Sequence, residues 1–276
     1  MINAVGNRMT REIARQQKLA DALERTQIQI SGGKKLLRMS DDPVAARRIA
    51  TIGTSQASMT AWSSNINTAE ALVSQADGVM KSVSNLMTRA RELTLSAASD
   101  STNPADRATI AAELGTIADE LDALAATRDS NGEPVFSAGP ARVMRFDSDI
   151  AFSAVPSAAD VFVFNGNSLS TGIRDAATAV TAGNRAGINA SLDALTAVIG
   201  HVADKHAEIG LAGGRLERIG DGLAARGITL KDERSTVEDT DLSVAIAELN
   251  AQDLTLNAAE AAFAKINRQT LFDILN

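Results

Sequence analysis

The sequence contains no cysteine and no tyrosine, a single tryptophan and only two histidines. Without cysteine there is no disulfide, no thiolate metal site and no thiol nucleophile. His201 and His206 stand five residues apart, about 140° around a helix, which is not the i, i+4 spacing of a helical metal pair. Aromatic residues make up 3% of the chain, and the 45% apolar content rests mainly on Ala, Leu, Ile and Val. Such side chains suit thin helices packing closely, and they predict an elongated molecule. No run approaches the roughly 18 apolar residues of a membrane span. The first 30 residues are charged throughout, without the apolar stretch and cleavage site of a secretory signal.

Catalytic motifs are missing too. The glycines of Gly210-Leu211-Ala212-Gly213-Gly214 do not fit dinucleotide spacing, and there is no phosphate-binding loop or nucleophile turn. Asp129-Ser130-Asn131-Gly132 lacks the ligand ladder and distal Glu of a calcium loop and reads as a tight turn. The expectation is a protein with no enzymatic activity, no cofactor and no metal site. A formal charge of −7 argues against nucleic acid as a partner, because phosphate neutralisation needs a concentrated basic patch. The charge is unevenly spread. Residues 1–50 carry ten Lys/Arg against five Asp/Glu, whereas residues 232–276 carry three against nine, so the two ends should attract.

What is present is helical periodicity. From Met1 to Ile30, alternate steps of three and four residues meet Ile2, Val5, Met9, Glu12, Gln16, Leu19, Leu23, Thr26 and Ile30, a seam-like stripe. It breaks at Ser31-Gly32-Gly33. Asp42 before Pro43 is an N-cap followed by a first-turn proline, and the helix it opens runs to about Ala98. Asp100-Ser101-Thr102-Asn103-Pro104 repeats that arrangement, with Asp106 placed to favour the dipole of a helix over about 104–128. The residues from 133 to 168 differ. Five of the seven phenylalanines fall there, among β-branched residues, which predicts two to four short strands closing at Asn165-Gly166-Asn167. Helix returns from about Gly172, is interrupted near Ala182-Gly183-Asn184, and continues to about Arg234.

Glu238-Asp239-Thr240-Asp241 opens the last helix. Its stripe passes through Leu242, Ala245, Leu249, Gln252, Leu256, Ala259, Phe263, Ile266 and Thr270, with Leu271 and Phe272 beyond. Two heptad-patterned ends thus flank a helical middle and a small β insertion. The fold expected is mainly α: an elongated antiparallel helical bundle or coiled coil formed by both chain halves. Residues 1–42 and 236–276 would form paired terminal helices, 43–132 and 169–235 a middle rod, and 133–168 the β-rich insertion. An apolar stripe usually serves a domain's own core. Here two thin helices have only each other for cover, so Ile2, Val5, Met9, Leu19, Leu23, Ile30, Leu242, Leu249, Leu256, Phe263, Ile266, Leu271 and Phe272 are the candidate assembly residues.

Ser31-Gly32-Gly33-Lys34-Lys35 with Ser40-Asp41-Asp42-Pro43-Val44-Ala45-Ala46 resembles the N-terminal signature of the flagellin superfamily. Asp106-Arg107, the stretch Asp129 to Gly139, and the ending Ala261-Ala262-Phe263-Ala264-Lys265-Ile266 to Leu271-Phe272-Asp273-Ile274-Leu275 extend the resemblance over nearly the whole chain. The proline after Asp42 is similar to the hook–filament junction members, whereas flagellins proper tend to have alanine there. The resemblance implies a structural part of the bacterial flagellum, extracellular and exported without a cleaved signal. Its partners would be copies of itself in a ring, a hook-side junction protein, flagellin, and an export chaperone on the C-terminal helix. The alternatives are a short flagellin or a flagellin homologue that binds surface polysaccharide.

Overall fold

The computed structural model describes residues 2–99 and 101–275, with side chains over 9–99 and 101–265. It is mainly helical with a small β insertion. Helix α1 spans Ile2–Gly32, α2 Pro43–Ala97 and α3 Pro104–Ala125, and the insertion holds strands β1 (Val143–Arg145) and β2 (Ala151–Ser153). A short helix α4 (Ala158–Phe162) leads into β3 (Val163–Phe164) and β4 (Asn167–Ser168), after which α5 covers Leu169–Thr181, α6 Arg185–Glu238 and α7 Leu242–Leu275.

The helix boundaries have local causes. The Asp42 carboxylate accepts from the backbone N–H of Val44 and Ala45, both at 3.0 Å, satisfying donors that the first turn of α2 leaves unpaired. Asn103 does the same for Ala105 and Asp106 at the start of α3, so the side chain next to the proline is the cap. Asp241 opens α7 through Ser243 and Val244. Between α5 and α6, Gly183 takes φ +64°, a left-handed turn that a side chain would strain.

The insertion departs from an all-strand reading. A strand was expected through Val161–Phe164, but Ser157 accepts from the Asp160 N–H while the Asp160 carboxylate accepts from the Ser157 N–H. This reciprocal cap starts a turn of helix that overrides the β propensity of Val161 and Phe162. The remaining strands pair as two antiparallel hairpins, Met144 opposite Phe152 and Phe164 opposite Asn167. Asn165 (φ +50°) and Gly166 (φ +83°) make the second turn, the geometry that Asn-Gly favours in hairpins.

Two compact units divide the chain: residues 57–226, and residues 1–56 with 227–276. In the first, the inner stripes of α2, α3, α5 and α6 enclose Met80, Val83, Met87, Leu114, Leu121, Ile173 and Ile209. Phe136 and Phe162 seal this core edge to face, with ring centroids 5.2 Å apart. The first hairpin lies over a second cluster, Phe146 and Ala154 packing with Ile66, Ala69, Leu216 and Leu223. Asp147, nearly buried, pairs there with Arg226, and the Asn65 amide donates to the Arg145 carbonyl at 2.8 Å. Close approach also explains one glycine, since a Cβ on Gly213 would meet Val73 Cγ1 at 3.2 Å.

Candidate assembly interface

In the unit formed by residues 1–56 and 227–276, α1 and α7 pack antiparallel. Gln16 Nε2 reaches the Ala259 carbonyl at 3.5 Å, Thr26 Oγ1 donates to Gln252 Oε1 at 3.1 Å, and Lys34 pairs with Asp239 across a backbone bridge. The chain numbers fall on one side as they rise on the other. Along α1, the residues turned away from solvent include Glu12, Gln16, Leu19, Leu23, Thr26 and Ile30; along α7 they are Ala245, Leu249, Gln252, Leu256, Ala259 and Phe263. These are the positions picked out by alternating steps of three and four, which keep one face toward a single neighbour.

Burial along the seam is shallow. Only Thr26 (4% exposed) and Ala245 (6%) are buried among its described residues, and Leu19, Leu23, Ile30, Leu249, Leu256 and Phe263 are half-buried. Met9 and Leu242 are exposed, at 41% and 50%. The side chains of Ile2, Val5, Ile266, Leu271 and Phe272 lie outside the described residues. Away from the seam, Ile13, Ile28, Val244, Ile246 and Leu254 are exposed, and Ala247, Ala251, Ala258 and Ala261 share the outer side of α7 with Leu254. One residue in that outer set, Leu254, is among the largest exposed apolar groups, and the stripe pattern does not mark it because it lies off the 3–4 steps.

The opposed end charges meet at the base of the pair. Lys34 and Arg234 both hold Glu238, and Arg48 holds Glu233. Arg234 first, then Lys34, keeps the Glu238 carboxyl below the usual glutamate range. Exposed pairs of this kind contribute roughly 0–1 kcal/mol each, whereas each half-buried leucine in the seam contributes about 1 kcal/mol. Apolar contact therefore outweighs charge in holding the pair.

The histidines are occupied elsewhere: His201 Nε2 meets the Val161 carbonyl at 3.2 Å and His206 Nε2 meets Asp77 at 2.7 Å. Among the described residues no three His, Cys, Asp or Glu side chains gather as metal ligands, and no helix is long and apolar enough to cross a membrane.

Residues 3–139 match the bacterial flagellin N-terminal helical region. The chain carries a flagellin-type region. Its fold is that of solved hook-associated proteins. A protein from Vibrio parahaemolyticus assigned as flagellar hook-associated superposes with a TM-score of 0.65 at 18% identity, covering 72% of this chain and 100% of the other. Hook-associated protein 3 from Legionella pneumophila gives 0.62 at 14% identity, over 68% and 99%. The flagellar junction protein FlgL from the same organism gives 0.56 at 13%, over 71% and 100%. Comparison with curated protein sequences gave no match. The matched region and the fold likeness both point to flagellar proteins.

Proposed function

We propose that this chain is the hook–filament junction subunit of a bacterial flagellum, coupling a hook-side adaptor to the first layer of flagellin. The observation that carries the reading is the terminal helix pair. α1 and α7 close on each other through one stripe and leave apolar groups such as Ile28, Ile246 and Leu254 exposed, a surface suited to neighbouring copies. Residues 1–42 and 236–276 are the assembly part in this reading, residues 43–132 and 169–235 the rod. Export as an unfolded chain through the flagellar apparatus, with a chaperone on α7 and no cleaved signal, completes it. The likeness to junction proteins and the proline at position 43 favour the junction over the filament.

A short flagellin is the second reading, favoured by the match of residues 3–139 to the flagellin region itself. Polysaccharide binding through the insertion is disfavoured by geometry. Phe136, Phe146 and Phe162 are buried, so their ring faces are closed to a sugar, and Trp62 is half-buried against the cluster that holds Phe146.

Deleting the gene tests the proposal. The expected strain builds hooks but sheds flagellin into the medium. Short attached filaments in that strain, or this protein as the main component of sheared filaments, would transfer the assignment to a flagellin.

A further inference from the structure

The middle unit has two cores, and α6 passes from one to the other. The larger cluster begins at Leu72 on α2 and ends at Ile209 on α6, whereas the smaller takes Ile66 and Ala69 from α2 and Leu216 and Leu223 from α6. Val73 packs against both. Between Ile209 and Leu216 the sequence is Gly210-Leu211-Ala212-Gly213-Gly214-Arg215, the glycine-rich stretch that fits no nucleotide-binding pattern. One of its three glycines has a packing reason. A Cβ on Gly213 would press on Val73, but one on Gly210 would meet nothing within 4 Å and one on Gly214 only Arg218 Nη1, at 3.6 Å. Glycine inside a helix is less stable than alanine because it gives up more backbone freedom on folding. Gly210 and Gly214 therefore weaken α6 without any close contact that requires them.

We propose that Gly210–Gly214 is a hinge in α6, about which the hairpin-bearing end of the middle unit tilts relative to its four-helix part. The two sides of the stretch are each held by their own contacts. On the Ile209 side, α2, α3, α5 and α6 share one core, and His206 Nε2 meets Asp77 Oδ1 at 2.7 Å. On the Leu216 side, Phe146 and Ala154 of the first hairpin region cover α2 and α6, Asn65 holds the Arg145 carbonyl and Arg226 holds Asp147. Each side is thus a packed body, and packed bodies move by small rotations at the places that join them, not by deforming inside. Between the two clusters the apolar link is Val73, against which Gly213 lets α6 lie close. The opposite stretch of α2, Ala69-Glu70-Ala71-Leu72, contains no glycine, so the weakness is confined to one of the two helices. A tilt there repacks one valine and leaves both cores closed.

The chain has no cysteine, so spin labels can be placed in pairs on the full-length protein without background. Asp193→Cys with Glu217→Cys sets exposed labels on α6 on either side of the hinge, whereas Asp193→Cys with Glu120→Cys sets both on the four-helix part. The first pair should give the broader distance distribution. In amide hydrogen exchange, residues 210–216 should exchange faster than residues 195–205 of the same helix. Gly210→Ala and Gly214→Ala should slow exchange at 210–216 by about fivefold each and, together, narrow the first distribution to the width of the second. Amides of residues 76–97 should keep their parental rates. A first pair as narrow as the second in the parental chain overturns the proposal, and so does breadth or fast exchange that survives both alanines. Neither measurement depends on which neighbours the protein meets, so the outcome is independent of the junction assignment.

Discussion

In residues 57–226, Met80, Met87, Leu114, Phe136 and Ile209 are sealed from solvent, whereas along the α1–α7 seam leucines at equivalent helical spacing stay half exposed. Both regions carry the same kind of stripe. They differ in the number of elements available to cover it: α2, α3, α5, α6 and the insertion share one core, while each terminal helix has a single partner along its seam. A stripe at helical spacing thus specifies which face turns inward but not how far from water it ends up, because depth depends on cover from several sides.

The largest effect that sharpens this contrast is Phe136→Ala. Removing a fully enclosed ring from the middle core should cost about 3–5 kcal/mol, read as a lower denaturation midpoint of residues 57–226. In the seam, Leu256→Ala should leave that transition within about 0.5 kcal/mol of the parent. Equal losses from the two variants would erase the distinction between a sealed core and a one-sided seam.

Next comes a charge in the seam. Leu249→Asp or Phe263→Asp should abolish incorporation into flagella while the middle unit keeps its melting transition, since an unpaired charge in a packed contact costs several kcal/mol. Export is followed separately by secretion of the variant chain. Normal motility in either variant would show that this face is not used in assembly.

Acid separates the regions through two carboxylates. Asp147 in the middle unit is held below the ordinary aspartate range, chiefly by Arg226 and also by the Ser148 N–H, and Glu238 at the base of the helix pair by Arg234 and Lys34. A folded-state pKa below the unfolded value stabilises above the unfolded pKa, about 3.9 for Asp and 4.3 for Glu. That contribution fades as pH falls from there through the folded value. Asp147→Asn should flatten the acid dependence of the middle transition and leave the exchange of α1 and α7 unaltered, and Glu238→Gln the reverse. A crossed result would mean that the two groups report on one cooperative unit.

The smallest effect concerns glycine. A Cβ at Gly78 in α2 would touch nothing within 4 Å, so Gly78→Ala should raise the stability of the middle unit by about 0.5–1 kcal/mol through helix propensity. Gly213→Ala should gain less or lose, because its Cβ presses on Val73. Thermal melts of the two variants rank them directly.

The sequence by itself determined the long helices, their breaks and, from Glu12 to Ile30 and from Ala245 to Phe263, the faces of the terminal stripes that turn inward. These follow from local rules: a capping Asp or Asn beside proline at 43 and 104, glycine at 33 and 183, and a 3–4 period that places residues on one side of a helix. It also carried the flagellin signature on its first half. A further local rule overrides strand propensity at Val161 and Phe162, which sit in a helical turn because Ser157 and Asp160, three residues apart, cap each other. Tertiary structure alone decided the rest. The pairing of Thr26 with Gln252, and the ladder joining Gly33–Lys35 to Glu238–Thr240, link residues more than two hundred positions apart. Periodicity is a property of neighbours along the chain and repeats every heptad, so it admits several registers; contacts between distant segments select one, and the number of elements over each stripe sets how deeply it is buried.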